Sequence, residues 1–195
     1  MYHGNLAALL GYIMVGRKIK LSWTIRLSLE IYKRMKLTTR LVIKLGSYLS
    51  RAPDLIIYNS NRSLKQHRAI GYNKDNDFSI PNGFDTKVWK PNKKIRINLR
   101  NRHGISNINK VIGYVGRGDD QKDIPTLFKA FDKVCRKHSN VILVTIGRSL
   151  NKYSTNNKNI IFLGQQSNVH DLMNMFDLLC LSSKAEGFPN VIGEA

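Results

Sequence analysis

Apolar residues in this chain follow two alternating patterns, short uninterrupted runs and helical spacing. Uninterrupted runs such as DLIIYN (54–59) and VILVTIG (141–147) are typical of strands buried in a parallel sheet. Apolar residues three or four positions apart predict amphipathic helices over 38–49 and 125–137. Strands alternating with helices favour right-handed βαβ units, so the pattern predicts an α/β fold built on parallel sheets.

The same reading divides the chain into two domains. Pro81-Asn82-Gly83 is a strong turn signal, and a polar, basic connector follows it. We therefore place the boundary at Asn82 and expect domains over 1–81 and 82–195. The remaining predicted helices are 5–15 (capped by Asn5), 60–70 (capped by Ser60 and closed by Gly71), 95–103 and 169–176, and the remaining strands are 20–29, 78–81, 111–116, 159–164 and 177–183.

The net charge of the chain limits the classes of partner that it is expected to bind. The 195 residues include 32 Lys and Arg against 13 Asp and Glu, a net charge of +19 with a pI near 10.2. Such a surplus favours an anionic partner: nucleic acid, a membrane surface or a phosphorylated substrate. Ten basic residues and one acid, Glu30, lie between Arg17 and Arg51. The basic amphipathic helix predicted there is either ordinary solvated surface or a membrane-docking face.

The cysteines and the apolar runs suggest a compartment. Cys135 and Cys180 have neither the spacing of metal ligands nor that of a disulfide framework, which fits a reducing environment. Apolar runs are too short to span a bilayer, and the start of the sequence lacks the basic leader of a signal peptide. We expect a cytoplasmic protein, with peripheral contact at the inner face of the membrane as an extension of that expectation.

The last stretch, 182–195, has the pattern strand, loop, helix. Its loop holds a Glu-Gly turn, and Pro189 is expected to open the helix. A helix N-terminus presents unpaired N–H groups and a positive dipole end, which together can bind phosphate. Glu186 and Glu194 flank it, and carboxylates accept hydrogen bonds from sugar hydroxyls. The alternative is that these two are a solvated loop acid and a favourable first-turn charge.

A second candidate lies in the stretch 111–131. Arg117 and Lys122 fall on the loop between a strand and its helix, at the sheet edge where ligands bind in such folds. Two cations there can hold a diphosphate. Alternatively, Lys122 pairs with Asp119 or Asp120 as a surface ion pair. Asp123 is expected to cap the following helix and Pro125 to start it, and the glycine spacing is not that of a dinucleotide site.

These stretches resemble one family. Glu-Gly-Phe-Pro-Asn-Val-Ile-Gly-Glu-Ala (186–195) resembles the E-x7-E signature of retaining glycosyltransferases of family 4, which have the GT-B fold. Val-Gly-Arg with Lys-Asp (115–123) resembles that family's Gly-Arg-x4-Lys loop, with Asp123 where Gly is usual, as in exopolysaccharide and lipopolysaccharide members. Further matches in family order are Met1 to Leu6, Trp23 to Arg26, Tyr58 to Ser60, Ile80 to Asp85, Asp177 to Leu179, and Ser182-Ser183.

The resemblance implies a nucleotide-sugar donor and a glycan or lipid-linked acceptor, without nucleic acid, cofactor or metal. Arg117 and Lys122 would hold the donor diphosphate, aided by the N–H groups of Gly187 and Phe188. Glu186 would hold sugar hydroxyls beside the anomeric centre. The two remaining site residues carried over are Glu194, toward the ribose, and His3, at a strand end near the donor sugar.

The resemblance also implies two incomplete Rossmann-like domains, the acceptor-side one over 1–81 and the donor-side one over 82–195. About the first eighty residues and a further C-terminal part of the family's pattern are not matched, so Met1 is expected to be an internal methionine. Two other readings stay open: an inactive truncated remnant of such an enzyme, and a basic nucleic-acid-binding protein. The latter has no helix-turn-helix, zinc or RNP motif in its favour.

Overall fold

The computed structural model describes residues 1–153 and 155–195 and divides them into two compact units. Unit 1 comprises Met1–Gly83 with Ala185–Pro189, and unit 2 comprises Phe84–Lys184 with Asn190–Ala195. The first division thus falls directly after the expected turn, two residues beyond the expected boundary. The short segment 185–189 groups with unit 1, although the sequence boundary at Asn82 assigned it to the second domain.

Unit 1 is a three-stranded parallel sheet with helices between its strands. Its order is β1-β2-β3, and β1 pairs with β2 from Ser22↔Leu55 to Ile25↔Tyr58. Its elements are α1 (Tyr2–Met14), β1 (Ser22–Ile25), a 3₁₀ turn (Tyr32–Arg34), α2 (Leu37–Leu49), β2 (Leu55–Tyr58), α3 (Asn61–Ala69) and β3 (Asp77–Ser79).

Local signals explain the ends of α3 well. The Ser60 hydroxyl accepts a hydrogen bond from the Ser63 N–H at 3.2 Å, as an N-cap residue should. Gly71 follows the helix with φ +97°, a conformation that favours glycine. Both predicted boundaries of this helix are therefore confirmed.

The start of the chain differs from the expectation. Helix α1 begins at Tyr2, so His3 lies in its first turn rather than at the end of a strand. Asn5 is not the cap, because it lies inside the helix and its amide donates to the Thr24 carbonyl at 3.2 Å. The strand predicted over 20–29 is shorter in the structure, where it spans only Ser22–Ile25.

Helix α2 is where predicted, but of its expected apolar face only Val42 and Leu49 pack against the core, and both are only partly buried. Ile43, Gly46 and Ser47 are buried, whereas Leu41 and Leu45 from the predicted apolar face are about half exposed. Gly46 accounts for the difference, since a Cβ there would lie 2.5 Å from the Tyr72 hydroxyl. The absent side chain lets α2 approach Tyr72, which turns the larger apolar residues outward.

Unit 2 is a four-stranded parallel sheet in the order β6-β5-β4-β7. Central strand β4 pairs with β5 from Lys110↔Val141 to Val115↔Ile146. Its elements are α4 (Lys93–Arg102), β4 (Lys110–Val115), α5 (Ile124–Cys135), β5 (Val141–Ile146), a 3₁₀ turn (Asn151–Tyr153), β6 (Ile160–Gly164), α6 (Val169–Leu172), a 3₁₀ turn (Met173–Met175), β7 (Leu178–Leu179) and α7 (Asn190–Glu194).

Both faces of the unit 2 sheet are covered by apolar packing. On one face Leu127, Phe128 and Phe131 of α5 pack with Tyr114 and Leu143. The other face has its own core, consisting of Ile105, Val111, Val144, Ile146, Leu172 and Met175. Burial on both faces explains why the strands of this unit read as continuous apolar runs. The predicted α/β class with parallel sheets is confirmed.

An ion cluster joins the first helix of unit 2 to the start of its edge strand. The Asp177 carboxylate accepts from Arg100 at 2.7 Å, from Arg96, and from the Val111 N–H at 2.7 Å. Arg100 is only 2% exposed and also donates to the Met175 carbonyl. Burial would raise the pKa of Asp177, but these hydrogen bonds outweigh it and lower the pKa.

Within residues 1–153 and 155–195, none of the helices has the length and apolar character that crossing a bilayer requires.

The core of unit 1 contains a neutral histidine. The His67 ring is fully buried; its Nδ1 lies 2.8 Å from the Ser63 carbonyl and its Nε2 lies 2.9 Å from the Tyr2 hydroxyl. A carbonyl only accepts, so Nδ1 carries the proton and Nε2 accepts from Tyr2. Burial lowers the pKa of His67 to about 4, and the hydrogen bond to the Ser63 carbonyl offsets this only in part.

We expect His67 to make unit 1 less stable in mild acid. The unfolded histidine titrates near 6.5, so between that pH and about 4 the unfolded chain binds more protons than the folded one. The stabilisation is complete above pH 6.5 and decreases as pH falls to 4, by on the order of 3 kcal/mol in the free energy of unfolding.

Urea unfolding between pH 7 and pH 4 measures this decrease. His67→Gln should have a flatter pH dependence than the parent chain, while the exposed-site control His138→Gln should keep the parental slope. Equal slopes for the parent and His67→Gln would show that His67 is not the titrating group.

Candidate functional site

The loop after β4 is held close to the loop after β5. The Gly118 N–H donates to the Arg148 carbonyl at 2.9 Å, and a Cβ on Gly118 would overlap the Ser149 carbonyl. Gly147 has φ +145°, and a Cβ there would overlap the Gly116 carbonyl. Glycine is required at 118 and 147 because two backbones meet without space for a side chain.

Arg117 lies on this loop with its side chain exposed to solvent. The guanidinium pairs with Asp119 at 3.2 Å, and 58% of the Arg117 side-chain surface is accessible. Of the two carboxylates that the sequence alternative offered to Lys122, Asp119 pairs with the Arg117 guanidinium and also accepts a hydrogen bond from the Lys122 backbone N–H. An exposed pair of this kind contributes little to stability and can be exchanged for another anion.

The loop after β7 holds the backbone of Lys122 in place through a hydrogen bond. The Ser182 hydroxyl donates to the Lys122 carbonyl at 2.6 Å, and the Lys184 N–H donates to the Gln121 carbonyl at 2.8 Å. The loop that carries both predicted cations is thereby joined to the stretch 182–184 at the carboxyl edge of the unit 2 sheet. Ser182 was noted in the sequence only as part of a pattern, and its role as a donor between loops was missed.

Asp123 does not cap α5 with its side chain. It occupies the N-cap position with φ 50° and ψ 51°, and its carboxylate accepts no capping hydrogen bond from the helix. A left-handed backbone favours glycine and, among other residues, Asp and Asn. The prediction of a capping carboxylate is wrong, whereas Pro125 is found in the first turn of the helix as expected.

The segment 185–189 packs within unit 1. A Cβ on Gly187 would lie 2.5 Å from Asn59 Oδ1 and 2.6 Å from the Arg26 carbonyl oxygen. Arg26 follows β1 and Asn59 follows β2, so Gly187 lies at the carboxyl edge of the unit 1 sheet. Glu186 and Phe188, on either side of Gly187, are half-buried.

Two polar residues at this edge were not recognised as site candidates from the sequence. The Arg26 guanidinium donates to Asn82 Oδ1 at 3.0 Å. Asn59 is 6% exposed, and its Oδ1 accepts no hydrogen bond from the described residues. Each directly follows a strand in the structure, at the edge where ligands bind in parallel sheets, whereas the predicted strands 20–29 and 54–59 included them. His3 is exposed in the first turn of α1.

Glu194 ends the short helix α7 in unit 2, which begins at Asn190 after Pro189. Its carboxyl group is half-buried, and this burial raises its pKa. Glu194 lines a cavity of about 280 Å³ together with Trp89, Lys90 and Lys93. A carboxyl group partly withdrawn from water there makes stronger hydrogen bonds to hydroxyl donors than one on an open surface.

Within residues 1–153 and 155–195, no three His, Cys, Asp or Glu side chains lie close enough together to hold a metal ion.

Comparison with known sequences identifies similar proteins. A sequence profile of the family described as Glycosyl transferases group 1 matches residues 95–195. The "Putative glycosyltransferase EpsF" of Bacillus subtilis (strain 168) is 28% identical over 128 residues, which cover 60% of this chain and 32% of that protein. An N-acetyl-alpha-D-glucosaminyl L-malate synthase of Bacillus anthracis is 29% identical over 136 residues, covering 66% of this chain and 35% of that protein.

Solved structures share the fold. The crystal structure of Anabaena Alr3699/HepE in complex with UDP-glucose superposes with a TM-score of 0.83 at 21% identity, covering 100% of this chain and 55% of that chain. Structural neighbours of this kind are GT-B glycosyltransferases, which confirms the predicted fold class. The chain spans about half the length of HepE and about a third of the two Bacillus relatives.

We expect Gly187→Ala to destabilise unit 1. The added methyl group meets a backbone carbonyl that cannot rotate away, so the free energy of unfolding should fall by about 1–3 kcal/mol. Gly83→Ala is the matched control, because a Cβ there meets no atom within 4 Å. Urea titrations of both variants measure the difference, and equal midpoints for the two would show that the segment 185–189 does not pack as described.

Proposed function

Because this chain belongs to the family of glycosyl transferases group 1, we propose that it takes part in transferring a sugar from a nucleotide-sugar donor to a glycan or lipid-linked acceptor. One structural observation supports the proposal in addition to membership of the family. The loop bearing Arg117 and Lys122 is hydrogen-bonded to the stretch 182–184 at the edge of the sheet where ligands bind in such folds.

Arg117 and Lys122 are proposed to hold the donor diphosphate. A guanidinium presents planar N–H donors that match phosphate oxygens, and an ammonium adds a compact charge. The exposed Arg117–Asp119 pair can exchange its carboxylate for the phosphate at little cost. The backbone bonds from Ser182 and Lys184 hold this loop before the donor arrives, which lowers the ordering cost of binding.

The proposed chemistry breaks the bond between the anomeric carbon and the phosphate oxygen. The electron pair leaves with the diphosphate while the sugar becomes oxocarbenium-like. The acceptor hydroxyl then bonds to the anomeric carbon, and its proton passes to the departing diphosphate oxygen. Arg117, Lys122 and the N–H groups of Gly187 and Phe188 are proposed to stabilise the leaving charge. We propose retention of anomeric configuration, without a metal ion or another cofactor.

The remaining residues are proposed to orient the donor. Glu186 accepts hydrogen bonds from sugar hydroxyls and stabilises the positive anomeric centre, with His3 as a further contact to the donor sugar. Glu194 accepts from the ribose hydroxyls, a role compatible with a half-buried carboxyl beside a cavity. His3, Glu186, Gly187 and Phe188 belong to unit 1, whereas Arg117, Lys122 and Glu194 belong to unit 2.

The biological role that we propose is synthesis of cell-surface polysaccharide on the cytoplasmic face of a membrane. Its support is the resemblance of the stretch 115–123 to exopolysaccharide and lipopolysaccharide members, together with the net charge of +19. A lipid-linked acceptor lies in a membrane surface, and an anionic surface attracts basic segments.

Binding of nucleoside diphosphates separates this function from its rivals. We use UDP, GDP and ADP as probes and read the melting temperature; a ligand present at 100 times its Kd stabilises the folded state by about 2.7 kcal/mol. No shift with any of them would favour an inactive remnant. Submicromolar DNA affinity that falls steeply with salt would favour nucleic-acid binding instead.

We expect Arg117→Ala and Lys122→Ala each to reduce turnover by about 10²–10³ in a form of the protein that transfers sugar, by analogy with the loss of one preorganised donor to a developing anion. The measurement is steady-state kinetics with the nucleotide sugar. Lys129→Ala, an exposed cation on α5, is the matched control. Unchanged turnover in both site variants would refute the diphosphate role.

We expect Glu194→Ala mainly to raise the KM for the donor. Ribose contacts are made in the ground state and the transition state alike, so their loss weakens binding without slowing the chemical step. Donor titrations at saturating acceptor separate KM from kcat. A collapse of kcat with an unchanged KM would mean that this carboxylate acts on the reacting sugar instead.

A further inference from the structure

An apolar stripe is exposed along α2 of unit 1. Four residues form it: Leu37, Leu41, Leu45 and Tyr48, which are 66%, 57%, 49% and 72% exposed. With 3.6 residues per turn, these positions fall within about 80° of arc around the helix axis. The opposite side of α2 holds the buried residues Ile43 and Gly46. The stripe is therefore the outward face of the helix, and contiguous exposed apolar surface of this kind usually marks a binding site.

Basic residues surround the stripe. Lys33, Arg34 and Lys36 precede α2, Lys44 borders the stripe on the helix, and Arg51 follows the helix; all five are exposed. Among the described ranges 1–153 and 155–195, none of the five forms an ion pair with a carboxylate. We call these five residues together with the four of the stripe the α2 face.

The nearby acid does not neutralise the α2 face. Glu30 is the one acidic residue between Arg17 and Arg51, and its carboxylate is paired with Arg62 of α3. Arg40 is also diverted from this face, because its guanidinium lies over the Tyr32 ring, 5.4 Å from the centroid. The α2 face thus combines unpaired cations with apolar side chains.

We infer that the α2 face is the surface by which this protein docks on an anionic lipid membrane. An apolar stripe rimmed by Lys and Arg inserts shallowly among acyl chains while the cations contact anionic headgroups. The long basic side chains reach the headgroups from beside the stripe, and the Tyr48 ring suits the interfacial layer. This inference rests on the proposed membrane contact and specifies its residues, but it does not depend on the transfer chemistry.

Charge complementarity favours an anionic membrane, rather than a second copy of the chain, as the partner of the α2 face. Two α2 faces brought together would oppose five cations to five cations with no carboxylate between them, which is unfavourable. An anionic bilayer supplies the opposite charge and an apolar layer at the same surface. Self-association and coverage by flanking sequence are therefore the outcomes that an experiment must separate from docking.

The test is co-sedimentation of the protein with vesicles of phosphatidylcholine alone or with about one third phosphatidylglycerol, at low and high salt and without donor. We expect binding only to the anionic vesicles and weakening with salt. Leu41→Gln with Leu45→Gln should weaken partitioning by at least about tenfold, since binding scales with buried apolar area. Replacing Lys33, Arg34 and Lys44 with Gln should weaken it roughly fivefold for each charge removed.

Unit 2 offers matched controls. Ile97→Gln with Ile108→Gln removes two apolar residues that are 49% and 74% exposed, and a triple Gln variant of Lys129, Lys133 and Arg136 removes three exposed cations from α5. Both controls should bind as the parent chain does. Equal losses in the control and α2 variants would show general charge attraction and overturn the assignment, as would failure of the parent chain to bind at low salt.

Two further measurements distinguish the other occupants. Tyr48→Trp should give a blue-shifted emission component when anionic vesicles are added, because the ring enters an apolar layer. Dimers in light scattering that are abolished by Leu41→Gln with Leu45→Gln, with vesicle binding unchanged, would assign the α2 face to self-association. If a longer form of the protein fails to bind vesicles while these 195 residues bind, flanking sequence covers this face and the inference is wrong.

Discussion

The carboxyl edge of the unit 2 sheet depends on two hydrogen bonds between loops that are distant in sequence. Ser182 donates to the Lys122 carbonyl and Lys184 donates to the Gln121 carbonyl. Parallel strands β4 and β7 are neighbours, so the loops that follow them leave the sheet at the same edge. The hydrogen bonds convert this topological proximity into a fixed backbone, from which the side chains of Arg117 and Lys122 extend.

Much of the architecture could be predicted because the local sequence patterns agree with the burial of the elements that they form. Continuous apolar runs became strands covered on both faces in unit 2, and Ser60 capped its helix through its hydroxyl. What failed depended on tertiary contacts. The buried face of α2 depends on the contact of Gly46 with Tyr72, which lies 26 positions later in the sequence. The spacing of apolar residues along α2 does not reveal that contact.

The candidate site was predictable to a similar extent. The positions of Arg117 and Lys122 on a loop at the carboxyl edge follow from strand and helix order alone. The backbone conformation of Asp123 did not, because a carboxylate before a helix is typical of a cap and also tolerates a left-handed φ. Gly187 lies against the Asn59 side chain and the Arg26 backbone carbonyl, and this contact becomes visible only in three dimensions.

The ion cluster around Asp177 has a consequence for synthesis of the chain. Arg100 and Val111 precede their shared carboxylate by 77 and 66 residues, so a ribosome translates most of unit 2 before the counterion emerges. Until Asp177 has emerged, the Arg100 guanidinium has no carboxylate partner with which to be buried, and β4 lacks its neighbouring strand β7. We therefore expect this unit to complete its folding on the ribosome only after Asp177 has emerged, and a nascent chain stalled earlier should remain a target for chaperones.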